Sequence, residues 1–486
     1  MLGALVTAAA SPAVGDAPAR SPRPLPRPGA AMPAATQKVA AVAAAASPEA
    51  LVDAARLGGR VSYAVLDART GALLAGRDPS VGQPPASVAK AMTALFALEA
   101  LGAGHRFVTR LIATGPISNG RLTGDLVLVG AGDPTLTTDA LGDLAARMRA
   151  AGLREVTGRF LVHAGYLPHI AQISGDQPEH VGYNPAISGL NLNFNRVHFE
   201  WRRGKSGWQT AMDARAERFV PQVRMAKVRI VERETPLFTY ARQDRVESWT
   251  VASAALGKGG SRWLPVRQPE VYAAEVFQTL AAAQGVRLAD PQSVGGQPGG
   301  TLIAQVASEP LTDVLRDMLR HSTNLTAEVV GLAASGAGNL AGSAGRMSDW
   351  LAARFGVKAR FVDHSGLGGA SRISAADMAT VFQRARETGA LRAILREFPI
   401  GEGKGKPQPA QVLAKTGTLN FVSGLAGYVS PPGGRELAFA IFAADTARRD
   451  GLSQRERENP AGGPEWTRRA RKMQRDLLAH WAAVYG

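Results

Sequence analysis

Helical texture at both ends of the chain encloses a long block of short strands, and this order restricts the fold more than any single motif does. Near the front, "SPEALVDAARL" places Ser47 as the cap of a first helix, and "VSYAVLDARTGALLAGRDPS" alternates about Thr70-Gly71 as a β-hairpin does. "PPASVAKAMTALFALEALG", residues 84 to 102, follows as a long apolar helix with Ser87 at its start. From residue 106 the texture changes to "RFVTRLIATG", "GDLVLVGAGDPTL", "EVTGRFLVHA" and "MAKVRIVERET", short strands punctuated by Gly, Pro and Asp, with few helices. Helical spacing returns in "QPEVYAAEVFQTLAAAQG", runs strongly through "EPLTDVLRDMLRHSTNLTAEVVGLAAS" and reappears in "ISAADMATVFQRARETG". "AQVLAKTGTLNFVSGLAGYVSPPGGRELAFAIFAAD" then reads as three strands, the last two joined at Pro-Gly-Gly, and "EWTRRARKMQRDLLAHWAAVY" as a closing helix. One α/β domain over residues 47–105 and 301–486, interrupted by β-rich inserted domains over residues 106–300, accounts for this order.

Residues 1–46 run from a short apolar stretch into Ala/Pro-rich low complexity, which holds too little large apolar side chain to order itself. They read as an export signal followed by a linker, although the stretch lacks the leading Lys or Arg of a signal peptide. No later segment reaches transmembrane length, so no transmembrane anchor is expected. There is no cysteine, which removes thiolate catalysis, Cys-based zinc sites and disulfides while leaving the compartment open. The formal charge of +16 favours anionic partners. The basic residues are scattered, however, and no helix shows the basic, aromatic-laced face of a nucleic-acid binder, so nucleic acid is not expected among them.

Chemistry concentrates in three short motifs. Ser87 and Lys90 stand three apart on a helix, so the amine reaches the hydroxyl, and a serine becomes a useful nucleophile only beside such a base. Ser322 and Asn324, in "HSTNLTAE", offer a second hydroxyl for proton transfer and a carboxamide that both donates and accepts. Lys415, Thr416, Gly417 and Thr418, in "AKTGTLN", present a cation and hydroxyls to a carboxylate along a strand. Gly417 would let a substrate backbone come close, and the N–H groups of Ser87 and Thr418 would form a two-donor oxyanion hole.

Each motif alone is common, since Ser also caps helices and Lys-Thr-Gly also occurs in surface hairpins. Together they are not. Ser-x-x-Lys, Ser-x-Asn and Lys-Thr-Gly each occur once, in that order, and two of only ten lysines fall within them. This ordered triple is the signature of β-lactamases and penicillin-binding proteins. No Gly-x-Ser-x-Gly elbow, His-Glu-x-x-His or Walker A loop competes with it. "GAGDPTL" reads as a strand-ending turn, and His321 and His364 as structural residues. No metal or cofactor is expected.

The sequence resembles the D-alanyl-D-alanine carboxypeptidase/endopeptidases of the penicillin-binding protein 4 type. Beyond the three motifs, "GDLVLVGAGDPTL", "YNPAISGLNLNFNRV" and "VDHSGLGGASRIS" are similar to segments of that family, as is the long interval between Ser87 and Ser322. The resemblance implies a serine β-lactamase/DD-peptidase-like transpeptidase domain, an antiparallel sheet flanked by helices, with a two-domain β-rich insertion. It implies a periplasmic enzyme acting on peptidoglycan stem peptides, with β-lactam antibiotics as covalent inhibitors and a homodimer as one conceivable assembly. Ser87 would then attack, Lys90 act as base, Ser322 relay a proton to the leaving amine, and Asn324 bind the acyl-side amide and orient Lys90. Lys415, Thr416 and Thr418 would hold the terminal carboxylate, with Lys415 also the second cation that keeps Lys90 neutral. One departure stands out: the family reads Asp-Gly-Ser-Gly-Leu-Ser-Arg from residue 363, where this chain has His364 for the first Gly and Gly368-Gly369 for Ser-Arg. Because that segment lines the family's substrate region, it bears on which peptide is preferred. A serine β-lactamase and an inactive peptidoglycan-binding scaffold are the alternative readings.

Overall fold

The computed structural model describes residues 46–296, 299–401, 408–453 and 456–485. The expected export signal and linker lie outside the described residues. Among those residues no helix is long and apolar enough to cross a membrane.

Ser47 caps α1 (Pro48–Ala55) by accepting the Ala50 N–H at 3.2 Å. β1 (Arg60–Asp67) and β2 (Leu73–Arg77) form the hairpin about Thr70-Gly71, where Asp67 Oδ1 accepts the N–H groups of Arg69 and Thr70, each at 2.8 Å. α2 (Ala89–Leu101) is apolar all round and buried from Ala89 to Ala97, as a helix enclosed by other elements must be.

After the insertion come α3 (Leu311–His321), α4 (Asn324–Ser335), α5 (Leu340–Phe355) and α6 (Ala375–Ala385), then β3 (Gln411–Leu419), β4 (Val422–Ser430), β5 (Leu437–Ala444) and α7 (Gly463–Tyr485). The run expected as one strong helical stretch is two helices, broken at Ser322, whose backbone is left-handed at φ 57°. The strands join as an antiparallel sheet in the order β2-β1-β5-β4-β3, with Arg396–Glu397 as the far edge. Both faces are covered, so β4 and β5 are buried almost end to end. α1 and α7 pack on one face, where Trp466, Leu477 and Trp481 meet Tyr63, Phe439 and Ile441. α2 through α6 pack on the other, where Met92, Met318, Met347 and Phe382 meet Leu66, Tyr428 and Phe442. Burial of this kind contributes about 25 cal/mol for each Å² of apolar surface withdrawn from water.

The insertion holds a five-stranded mixed sheet in the order Pro291–Ser293, Phe160–His163, Leu126–Val129, Val108–Ala113, Thr301–Ala307, and two three-stranded sheets drawn from residues 196–265. It is less purely β than expected. Besides Pro269–Ala283 there is a helix at Thr138–Ala150, capped by Thr137, and both line a core with Phe160, Phe199 and Trp249. Because Thr301–Ala307 pairs with Val108–Ala113, the inserted sheet extends past residue 300.

Candidate active site

Ser87 lies in a 3-10 turn, Ala86–Val88, and α2 begins at Ala89 with no side-chain cap. Its hydroxyl therefore caps no helix. Instead Ser87 Oγ accepts from Lys90 Nζ at 2.9 Å. The turn is held tightly. Ala86 has a left-handed φ of 48°, rare for a residue with a side chain, and a Cβ on Gly366 would stand 1.9 Å from the Ala86 carbonyl oxygen. A Cβ on Gly417 would stand 2.6 Å from Pro85 O and 2.9 Å from Ser87 N. Gly417 thus permits a close approach between β3 and the serine's own turn.

Lys90 is fully buried and donates to three oxygens: Ser87 Oγ, Asn324 Oδ1 at 2.7 Å and Ser365 O at 2.8 Å. Burial drives its pKa down to about 7, against the opposing pull of Glu328 and Asp363. Burial thus outweighs the Lys415 charge named from sequence as the source of that neutrality. Burial first, then the charges of Lys90 and Arg396, hold Lys415 well below the usual lysine range. Lys415 Nζ donates to Ser322 Oγ at 3.0 Å and to Thr416 O at 2.6 Å.

The sharp turn at Ser322 ends α3 and starts α4, which puts Ser322 and Asn324 on the same cleft as Ser87. Asn324 spends both ends of its amide: Oδ1 on Lys90, and Nδ2 on Tyr183 O of the insertion at 2.9 Å. Tyr183, the first residue of the segment "YNPAISGLNLNFNRV", lines the cleft as well. Thr418 opens onto it and Thr416 is half-buried behind.

Two buried acids escaped the sequence reading. Glu328 accepts the N–H groups of His364 and Ser365 at 2.9 and 2.8 Å, and Asp363 those of Gly366 and Gly368 at 2.7 and 2.6 Å. They shape the loop that delivers the Ser365 carbonyl to Lys90. Burial, reinforced by Asp363, pushes the Glu328 pKa up to about 8, and burial raises that of Asp363 too. The signal for Glu328 was one acid inside the apolar run of α4; nothing in sequence tied it to residue 363. His364 turns away from the cleft into the core, its Nε2 2.6 Å from Ser343 Oγ, and burial lowers its pKa to about 3, leaving it neutral. Leu367 and Gly369 of the same loop do line the cleft.

The cleft measures about 1160 Å³ and has a basic wall that includes Arg372, Arg449, Arg457 and Arg471. Arg471 reaches from α7 to within 3.4 Å of Thr418 Oγ1. No group of His, Cys, Asp and Glu able to hold a metal ion is found among the described residues.

Residues 43–462 match the model of the D-Ala-D-Ala carboxypeptidase 3 (S13) family. The chain belongs to that family. Among relatives of this S13 chain, the D-alanyl-D-alanine carboxypeptidase of Actinomadura sp. (strain R39) is 27% identical over 435 residues, covering 81% of this chain and 79% of the relative. The crystal structure of penicillin binding protein 4 (dacB) from Haemophilus influenzae superposes with a TM-score of 0.74 at 20% identity, covering 90% of this chain and 99% of the other. The same protein complexed with a novel β-lactam gives 0.70 at 21% identity, covering 89% and 98%. These matches span the outer segments of the fold and the strand-rich block between them.

Proposed function

We propose that the protein is a serine DD-peptidase that removes the terminal D-alanine from peptidoglycan stem peptides and opens cross-links built on D-alanine, and that β-lactams acylate it. The supporting observation is a pair of serine–lysine contacts on one cleft, Ser87 with Lys90 and Ser322 with Lys415. Neutral Lys90 takes the Ser87 proton as Oγ attacks the carbonyl between two D-alanines. The developing oxyanion is received by the N–H groups of Ser87 and Thr418, which Gly417 allows to lie close together. As the C–N bond breaks, Ser322 relays to the departing amine the proton that Lys90 took from Ser87, and Lys415 keeps its charge. Asn324 orients Lys90 and the acyl-side amide, while Lys415, Thr416 and Thr418 hold the terminal carboxylate. Water then hydrolyses the Ser87 ester. A β-lactam mimics the peptide but leaves an ester that turns over slowly.

Export to the periplasm belongs to the same reading, because the substrate lies there; a homodimer is no part of it. The test is covalent labelling by a fluorescent penicillin alongside D-alanine release from purified sacculi. Wild type is expected to do both and Ser87→Ala neither, and an unlabelled wild type would sink the reading. Rapid turnover of a chromogenic cephalosporin would point to a β-lactamase instead.

A further inference from the structure

With Lys415 and the threonines assigned to the terminal carboxylate, the arginines that line the cleft have no part in that reading. Most are already engaged. Arg372 Nη1 donates to Gly369 O at 2.6 Å and Ser371 O at 2.8 Å, Arg457 Nη1 donates to Asp176 O at 2.9 Å, and Arg468 pairs with Glu465 at 2.5 Å. Of the acids that line the cleft, Glu458 is taken by His180 at 3.0 Å and Arg262 at 3.1 Å.

Arg449 differs. It sits on the short helix Thr446–Asp450 that follows β5, and it lines the same cleft as Ser87. A Cβ added to Gly369 would meet its Nη2 at 2.6 Å and its Cζ and Nη1 at 2.8 Å. Near-equal distances to three atoms of a planar group mean that the guanidinium lies face-on over the Gly369 backbone, where only a hydrogen fits. Its N–H edges therefore run along the cleft wall. Among the described residues they meet no acceptor at hydrogen-bond distance and no carboxylate at ion-pair distance; Asp176 and Asp450 act on it only from farther off. A desolvated, pre-positioned fork with unused donors is a receptor for a carboxylate. Position 369 is also where the family pattern carries its arginine, and a side chain there excludes Arg449 from this pose.

We propose that Arg449 receives a second carboxylate of the substrate, distinct from the terminal one, so that the enzyme selects stem peptides whose side-chain carboxylate is free over those in which it is amidated. The inference rests on the DD-peptidase reading. Its test uses two peptides ending in D-Ala-D-Ala that differ only in that group, with kcat/KM for D-alanine release as the readout. Wild type is expected to favour the free acid by about tenfold or more, as a charge-assisted hydrogen bond would give. Arg449→Ala should bring the ratio close to one, and Arg449→Lys, which keeps the charge without the fork, should retain part of it. Gly369→Arg added to Arg449→Ala should restore preference, because the vacated space then admits an arginine from the loop. A wild type that does not discriminate, or an Arg449→Ala ratio equal to that of wild type, overturns the inference while leaving the DD-peptidase reading intact. Failure of wild type to release D-alanine from either peptide overturns both.

Discussion

The His364 imidazole occupies the space that Gly331 leaves open: a Cβ at 331 would stand 2.2 Å from His364 Cγ. Both lie in the core beneath Lys90, the ring anchored on Ser343 and the His364 carbonyl accepting from Thr93 Oγ1 at 2.7 Å. Gly331→Ala should therefore destabilise the fold by about 1–3 kcal/mol, the usual cost of overpacking, despite alanine's better helix propensity. His364→Gly in the same chain should recover part of the loss. Urea unfolding of the two single variants and the double variant checks this, and strictly additive effects would contradict the steric pairing.

Because Lys90 must be neutral to accept the Ser87 proton, its pKa of about 7 sets the acid limb of the reaction. Acylation by penicillin should fall as pH drops through 7 and level off above it. Glu328, whose own pKa of about 8 keeps it mostly protonated across this limb, carries only a fraction of a negative charge there, so Glu328→Gln should move the limb only slightly, and to lower pH. Stopped-flow acylation across the neutral range reads both, and a limb that moves upward would refute the sign.

Ser322→Ala removes the hydroxyl that takes a hydrogen bond from Lys415. Peptide cleavage should drop by about a hundredfold to ten-thousandfold, the range of a lost proton-transfer group. A thioester substrate, whose thiolate departs without a proton, should suffer far less. Equal losses on the two substrates would remove Ser322 from the relay.

Gly417→Ala should push β3 away from the Pro85–Ser87 turn, since the added carbon would stand 2.6 Å from Pro85 O. A displacement on the order of 1 Å costs about a hundredfold in rate. Slower acylation together with a lowered unfolding midpoint is the expected outcome, and wild-type acylation would show that the strand is free to yield.

Local pattern carried much of the architecture. The Thr70-Gly71 hairpin, the Pro-Gly-Gly turn between β4 and β5 and the Ser47 cap all depend on residues adjacent in sequence, and there the reading and the structure agree. The helix Thr138–Ala150 has its own local signal, with Leu141, Leu144, Ala145 and Met148 at helical spacing behind Thr137, set among short strands that mask it. Other features are set by distant partners. Periodicity runs unbroken through His321-Ser322-Thr323, and only tertiary packing, with Lys415 holding the serine, makes the left-handed break there. Glu328 and Asp363 become neighbours only once α4 and the 363–368 loop dock beneath Lys90. The sequence motifs thus named the groups that would touch a substrate, while the groups that tune them lay hidden in long-range contacts.

Asn324 ties the insertion to the base. A carboxamide is rigid and planar, so a shift at Tyr183 that drags Nδ2 also swings Oδ1 away from Lys90. A chain trimmed of residues 106–307 would keep all three motifs and all three oxygens that seat its lysine, yet release the far end of the amide that carries one of them. The minimal catalyst in this protein is larger than the domain that bears the nucleophile.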